Sequence, residues 1–144
     1  MPGGIYNMTH VQVKAKAAEE FKQEVKTESH SFISDAPKAV GGGETGPNPH
    51  ELLLGSLGAC TNITLQMYAQ KKGWPLKGVN IDLTEEQVDD PQNPGKKVSK
   101  ITRTIKVEGD LNEEQIEGLK GAAERCPIHK ILSGSSKIDT VLQT

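Results

Sequence analysis

One stretch of the chain, residues 46–74, constrains the fold more than any other, because it reads as a single long helix (GPNPHELLLGSLGACTNITLQMYAQKKGW). Asn48 is a favourable N-cap residue, and Glu51 follows it at the spacing of a capping box. Pro49 suits the first helical turn, where a backbone N–H is not needed. Gly73 then supplies a helix end. The sequence therefore predicts one long helix with clear boundaries.

The apolar residues of this helix are spread around its circumference instead of forming one stripe, which is typical of a helix covered on most sides. They are Leu52, Leu53, Leu54, Leu57, Ala59, Ile63, Leu65 and Met67. Cys60 lies among them, near the middle of the helix. Only 34% of the residues are hydrophobic, so one copy of the chain has limited material to cover such a helix. A homodimer in which two of these helices share a core would provide that cover.

Length and composition restrict the classes of protein that remain. A chain of 144 residues is expected to form a single domain, residues 1–144, with a real hydrophobic core. Its net charge of −2 gives no electrostatic support for binding nucleic acid or an anionic membrane. No apolar run approaches the roughly 20 residues of a membrane span, and the N-terminal residues MPGGIYNMTH lack the regions of a signal peptide. We therefore expect a soluble, cytoplasmic protein.

The residues before the long helix alternate between apolar and polar side chains, which favours β-strands. Thr9–Ala17 shows this period-two pattern and predicts a half-buried strand. Residues 21–27 and 30–34 predict two further strands, although their charge density leaves helix as an alternative. Asp35–Pro47 contains three consecutive glycines and is expected to be a mobile loop.

After the long helix, two alternating segments enclose a polar turn, DDPQNPGKK, and predict an antiparallel hairpin. Its strands are expected at residues 79–84 and 98–108. Within the second strand, Arg103 shares a face with Ile101, Ile105 and Val107. An arginine on an apolar face needs a partner for its charge.

The C-terminal part predicts two more helices and a final strand. Asn112 caps a helix that ends near Cys126, and Pro127 opens a short helix with Cys126 at its N-cap. Lys137–Leu142 is expected to be the last strand. This order of elements predicts an α+β fold in which helices pack on antiparallel sheet.

The two cysteines, Cys60 and Cys126, differ in their expected chemistry. A helix N-terminus and the adjacent Arg125 favour the thiolate of Cys126. Burial in an apolar helix would raise the pKa of Cys60 unless a nearby cation or donor offsets it. The alternative for Cys60 is a small buried hydrophobe. The spacing of the two residues cannot show whether they touch.

Two separate motifs carry a resemblance to a known family. The segment GGGETGPNPHELLLGSLGAC at residues 41–60, followed by ERCPIH at 124–129, resembles the OsmC/Ohr family of thiol peroxidases. The resemblance extends from about His30 to Leu142. It implies the OsmC-like fold, with curved antiparallel sheets around long buried central helices, an intertwined homodimer, and active sites at the subunit interface. It also implies an antioxidant role in the oxidative stress response.

The resemblance assigns roles to three residues. Cys60 matches the peroxidatic cysteine, Cys126 the resolving cysteine and Glu51 the conserved glutamate of the family. The implied reaction is reduction of an organic hydroperoxide to an alcohol, through a Cys60 sulfenic acid and a Cys60–Cys126 disulfide. An external dithiol or lipoyl-type reductant would then restore the thiols, so no cofactor is expected.

One departure from the family concerns arginine. Family members pair the glutamate with an arginine from the N-terminal strands, but Arg103 is the first arginine of this chain. A carboxylate near Cys60 without a cation would raise its pKa and slow attack. Arg103 is the first candidate to replace the missing cation and Arg125 the second. The alternative for Arg103 is a side chain at the sheet edge with its charged end in water.

Glu51 has a structural interpretation as well, because a capping box alone accounts for it. Glu51 and Cys60 are separated by about 900° of helical rotation, half a turn out of phase. A shared site therefore requires a kink near Gly55 and Gly58, or a Glu51 donated across the dimer, which we favour.

Weaker signals leave two alternatives. Cys126 and His129, with Cys60 and His50, resemble a set of zinc ligands, but neither paired spacing repeats and a structural site needs four ligands. No metal is therefore expected. The alternative function is a non-catalytic dimeric protein that keeps the OsmC-like fold and binds a small hydrophobic ligand, with little peroxidase turnover.

Overall fold

The computed structural model describes residues 8–134 and 136–144. These residues form two compact units, one up to residue 55 and one from residue 56 onward, and the division falls within the long helix. The predicted α+β class, with helices and antiparallel sheets, is confirmed.

The first unit holds a three-stranded antiparallel sheet in the order β1-β2-β3. Its strands are β1 (Gln12–Ala15), β2 (Gln23–Lys26) and β3 (Ser31–Ser34), with a 3-10 turn at Ala17–Glu19. All three predicted strands are present, although shorter than expected, and the helical alternative is wrong. Every residue of β1 is exposed, so the prediction of a half-buried first strand is wrong. Strands of four residues offer little surface for burial, and in this sheet Val25 supplies the apolar core.

The glycine-rich segment before the long helix is tied together by Asp35. Its carboxylate accepts hydrogen bonds from the Thr45 hydroxyl (2.6 Å), the Thr45 N–H (3.2 Å) and the Ala36 N–H (2.8 Å). The Thr45 hydroxyl, foremost among these donors, lowers the pKa of Asp35. Gly42 is required for close packing, because a Cβ there would lie 2.0 Å from the Ala36 carbonyl oxygen. The segment, expected to be a mobile loop, is therefore organised by hydrogen bonds and a 3-10 turn at Lys38–Val40.

The long helix, α1 (Pro49–Lys72), begins and ends as predicted. The Asn48 N–H donates to Glu51 (2.9 Å) and the Glu51 N–H donates to the Asn48 side chain (3.0 Å), which completes the capping box. One side of α1 is buried and consists of Leu57, Gly58, Cys60, Thr61, Thr64, Leu65 and Ala69. Among the described residues, no helix is long and apolar enough to cross a membrane.

The predicted hairpin is present and longer than expected. It consists of β4 (Leu76–Asp89) and β5 (Lys97–Gly109). Leu83 is paired with Arg103 and Ile81 with Ile105. Side chains along β5 alternate between exposed and half-buried, and Arg103 lies on the half-buried face, as predicted.

Two shorter helices follow, α2 (Glu113–Ala123) and α3 (Pro127–Ser133). The capping box of Asn112 and the N-cap position of Cys126 are both confirmed. The predicted strand at residues 137–142 is wrong, because a strand needs a hydrogen-bonded neighbour and the described residues 136–144 have no strand pairing. The apolar side chains of this segment are between 82% and 88% exposed: Ile138, Val141 and Leu142.

The core of the second unit has two parts along α1. Towards the C-terminal half of α1, Leu65 and Ala69 pack against Leu119 of α2 and half-buried residues of the hairpin. Towards the N-terminal half, Leu57 packs with the two cysteines. The second part, which we call the cysteine cluster, contains the candidate site.

Candidate active site

The structure brings together the two cysteines that are far apart in the sequence. Cys60 lies on the buried side of α1 and Cys126 at the N-terminus of α3, and they are 6% and 0% exposed. Both are free thiols. With Leu57 they form the cysteine cluster, and half-buried apolar residues close it from the hairpin and from α3: Leu83, Ile101 and Ile128.

The two thiols differ in acidity. Burial raises the pKa of Cys60, and its hydrogen bond to Cys126 raises it further. Burial would raise the pKa of Cys126 too, but the Cys60 thiol and the backbone N–H groups of His129 and Ile128 outweigh it and lower the pKa. These N–H groups belong to the first turn of α3 and face the sulfur without forming a regular cap hydrogen bond. Negative charge therefore settles first on Cys126, the direction expected from the sequence.

Two threonines next to Cys60 turn their hydroxyl protons towards the helix backbone. The Thr61 hydroxyl donates to the Leu57 carbonyl (2.7 Å), and the Thr64 hydroxyl donates to the Cys60 carbonyl (2.8 Å). The Thr64 side chain also partly offsets the rise in the pKa of Cys60, and the Thr61 side chain contributes to the lowered pKa of Cys126, because a hydroxyl can turn its proton towards a thiolate.

Arg103, the first candidate cation, reaches the elements that carry both cysteines. Its Nη1 donates to Thr61 Oγ1 (3.0 Å), and its Nη2 contacts His129 Nδ1 (3.0 Å). Thr61 directly follows Cys60 in α1, and His129 lies in the first turn of α3, which Cys126 caps. Neither of these two contacts is with a carboxylate. The guanidinium therefore brings a positive charge to this side of the site.

The other two predicted residues have different surroundings. The Arg125 guanidinium lies over the Tyr68 ring, 5.4 Å from its centroid, which is a cation–π contact. Glu51 is engaged with Asn48 in the capping box, so its structural interpretation is confirmed. Its role in a shared site with Cys60 stays a prediction.

His129 is the site residue that the sequence did not single out, except as a possible zinc ligand. Its Nε2 lies 3.1 Å from Glu124 Oε2, and its Nδ1 contacts Arg103. Both ring nitrogens are therefore engaged within the protein. The signal that pointed to it was the Cys126-x-x-His129 spacing, which places both residues at the start of one helix.

A cavity of about 240 Å³ borders the cysteine cluster. Leu57 and Ile101 belong to both, and Leu132 adds a third apolar wall. Arg103 and His129 line the same cavity, together with Ser99 and Ser133. It therefore fits a small molecule with an apolar body and one polar end.

Comparison with known proteins then settles the family. The family described as OsmC-like protein matches residues 41–141, which include α1, the hairpin and both cysteines. The chain belongs to the OsmC-like protein family. The curated organic hydroperoxide resistance protein-like 1 of Staphylococcus saprophyticus is 27% identical to this OsmC-like chain over 108 residues, 74% of this chain and 76% of the relative. Membership of this family supports a function related to peroxide stress.

Solved structures agree on the fold. The OsmC-like protein of Mycoplasma pneumoniae superimposes with a TM-score of 0.73 at 19% identity, covering 90% of this chain and 89% of its own. The organic hydroperoxide resistance protein OhrB of Bacillus subtilis superimposes with a TM-score of 0.61 at 23% identity, covering 88% and 91%. The OsmC-like fold expected from the sequence is thereby confirmed.

Proposed function

We propose that this OsmC-like chain is a thiol-dependent peroxidase that reduces organic hydroperoxides to alcohols, acting as a single domain. The observation that carries the proposal is the contact between Cys60 and Cys126 in one buried cluster, with the Arg103 guanidinium bonded to the residue that follows Cys60. A disulfide needs two thiols that can approach each other. The cavity next to them supplies a place for the substrate.

The first step begins with a protonated Cys60 and a Cys126 thiolate. Proton transfer from Cys60 to Cys126 across their hydrogen bond generates the Cys60 thiolate without exchange with water. The Cys60 thiolate attacks the distal peroxide oxygen, the O–O bond breaks, and Cys60 becomes a sulfenic acid. The departing alkoxide takes the proton from Cys126 and leaves as the alcohol.

The second step restores a neutral pair of sulfurs. The Cys126 thiolate, stabilised by the amides at the start of α3, attacks the Cys60 sulfenic acid and releases hydroxide. The product is a Cys60–Cys126 disulfide. An external dithiol or lipoyl-type reductant reduces it and is itself oxidised to a disulfide.

The cavity supports an organic substrate over hydrogen peroxide. Leu57, Ile101 and Leu132 offer apolar contacts to a hydrocarbon group. Arg103 lies on the polar part of the same wall, where its guanidinium would stabilise the charge of the departing alkoxide.

Mass spectrometry after one equivalent of cumene hydroperoxide tests the proposal. We expect the intact mass to fall by two hydrogen atoms and a proteolytic digest to contain the peptides of Cys60 and Cys126 joined to each other. Treatment with a dithiol should restore the original mass. Unchanged thiols after this exposure would contradict the proposed reaction.

A second candidate function has its own supporting observation. The pKa of Cys60 is raised, and a protonated buried thiol is a poor nucleophile. A dimeric protein that binds a small hydrophobic ligand in the cavity, with little turnover, would need no more than the packing seen here. Unchanged thiols in the same experiment favour this function.

We also propose that the chain forms a homodimer through the uncovered side of α1. Ile63 and Met67 lie four residues apart on this side and are 42% and 41% exposed, and Ala59 precedes them by one turn. The apolar side chains of residues 137–142 are exposed as well. A second copy of the chain would cover these surfaces. In such a dimer we expect Glu51 to be donated across the interface.

Sedimentation velocity tests the dimer. We expect the wild-type chain to sediment at twice the mass of its 15.5 kDa monomer, whereas Ile63→Lys shifts it towards the monomer because a charge cannot be buried there without a partner. Thr104→Lys, on the exposed face of β5, is the matched control and should leave the mass unchanged. A monomeric wild-type chain at micromolar concentration would exclude the dimer.

A further inference from the structure

The contact between Arg103 and His129 selects one tautomer of the neutral histidine. A guanidinium has only donors, so the Nδ1 that Arg103 contacts at 3.0 Å must offer a lone pair. The single ring proton of the neutral imidazole then resides on Nε2. Nε2 lies 3.1 Å from Glu124 Oε2, so the protonated nitrogen faces the carboxylate. His129 therefore links a carboxylate to the arginine as a neutral imidazole.

The guanidinium is held from two sides. Thr61 Oγ1 accepts from Nη1 because the hydroxyl proton is donated to the Leu57 carbonyl. His129 Nδ1 accepts from Nη2. Uptake of a second ring proton would place an N–H against an N–H and two positive charges side by side. One of the two anchors of Arg103 would then be lost.

We propose that His129 is a positioning residue: as a neutral imidazole oriented by Glu124, it holds the Arg103 guanidinium beside the cysteine cluster, and its protonation releases the arginine. The catalytic meaning of this inference depends on the proposed peroxidase function. The charged groups that contact the His129 ring are Arg103 of β5 and Glu124 at the end of α2, and the His129 backbone N–H faces the Cys126 thiol. Arg103 and His129 line the cavity that borders the cysteine cluster, so a proton on His129 would act on the thiols through Arg103.

Two substitutions of His129 separate positioning from packing. Asparagine places an acceptor oxygen near the position of Nδ1 and cannot take up a proton, whereas alanine removes the acceptor. Both keep the backbone N–H that faces Cys126. The readout is the rate of Cys60 alkylation by iodoacetamide as a function of pH, which needs no hydroperoxide.

We expect His129→Ala to slow alkylation at neutral pH by about tenfold, the effect of about one unit in the pKa of the thiol pair. His129→Asn should stay within about twofold of wild type. In the wild type, a plot of the logarithm of the rate against pH should have a slope greater than one on its acidic side, where both the thiol pair and His129 take up a proton. His129→Asn should fall with a slope of one, because only the thiol pair titrates.

Nitrogen chemical shifts of ¹⁵N-labelled histidine give an independent test. We expect the pattern of an Nε2-protonated imidazole for His129 at neutral pH. An Nδ1-protonated ring would overturn the inference, as would an alkylation rate for His129→Ala equal to that of wild type. A steep slope that persists in His129→Asn would overturn it too. If the wild type reduces no hydroperoxide yet shows the steep slope, the peroxidase proposal fails and the role of His129 stands.

Discussion

Reduction of cumene hydroperoxide by the Cys60→Ser variant is expected to fall to the uncatalysed background, a loss of at least about a thousandfold. A serine hydroxyl at this buried position stays protonated and cannot attack the peroxide oxygen, whereas the Cys60 thiolate can receive its charge from Cys126. The measurement is the rate of alcohol formation with a dithiol in excess. A residual rate close to wild type would show that Cys60 is not the attacking thiol.

Cys126→Ser is the informative partner of this variant. It keeps Cys60 but has no thiol to exchange a proton with it or to resolve the sulfenic acid, so we expect one equivalent of alcohol, formed more slowly than in the wild type, and then a stop. Dimedone should trap the persistent Cys60 sulfenic acid in this variant and not in the wild type. Unimpaired turnover of Cys126→Ser would show that the external reductant, and not Cys126, reduces the Cys60 sulfenic acid. Thermal unfolding of both variants verifies that each is folded.

Arg103→Gln is expected to lower kcat/KM for the hydroperoxide by about a hundredfold, the range found when one stabilising donor is removed from an active site. The sign of its pH dependence follows from the charge. Loss of a cation destabilises the thiolate form, so the pKa of the thiol pair rises and the activity profile moves to higher pH. Part of the lost rate should therefore return in alkaline buffer. Arg103→Lys keeps the positive charge but lacks the planar guanidinium. Its kcat/KM should lie between those of the wild type and Arg103→Gln.

Arg125→Gln is the matched control for Arg103. Like Arg103→Gln, it replaces a guanidinium with a neutral amide, but at the side chain that lies over the Tyr68 ring. We expect kcat/KM within about twofold of wild type, because Arg125 is exposed and solvent screens its charge. The opposite ranking of the two variants would make Arg125 the cation of the site.

The parts of the fold that the sequence predicted depend on residues close together in the chain. Each capping box joins residues three apart, Asn48 with Glu51 and Asn112 with Gln115, so their helix starts are visible locally. Cys126 at the start of α3 follows equally from Pro127. The alternation in β5 correctly placed Arg103 on the half-buried face, although it could not name Thr61 and His129 as its partners.

The parts that were wrong or missed depend on the three-dimensional arrangement. The alternation of residues 137–142 predicted a strand, but a strand also needs an edge to pair with, which a local pattern cannot report. The meeting of Cys60 and Cys126 came from a family resemblance and not from their spacing. The tautomer of His129 follows only from which groups face its two nitrogens.

The contacts of Thr61 and Thr64 join the two sulfurs to a single turn of α1. The Thr64 side chain opposes the rise in the pKa of Cys60 and the Thr61 side chain contributes to the lowered pKa of Cys126, while Thr61 also accepts from Arg103. Cys60 itself lies in the same turn. We therefore expect any local distortion of this turn to alter the ionisation of both sulfurs and the position of the guanidinium together, so that the mechanical rigidity of one helix turn sets the reactivity of the pair.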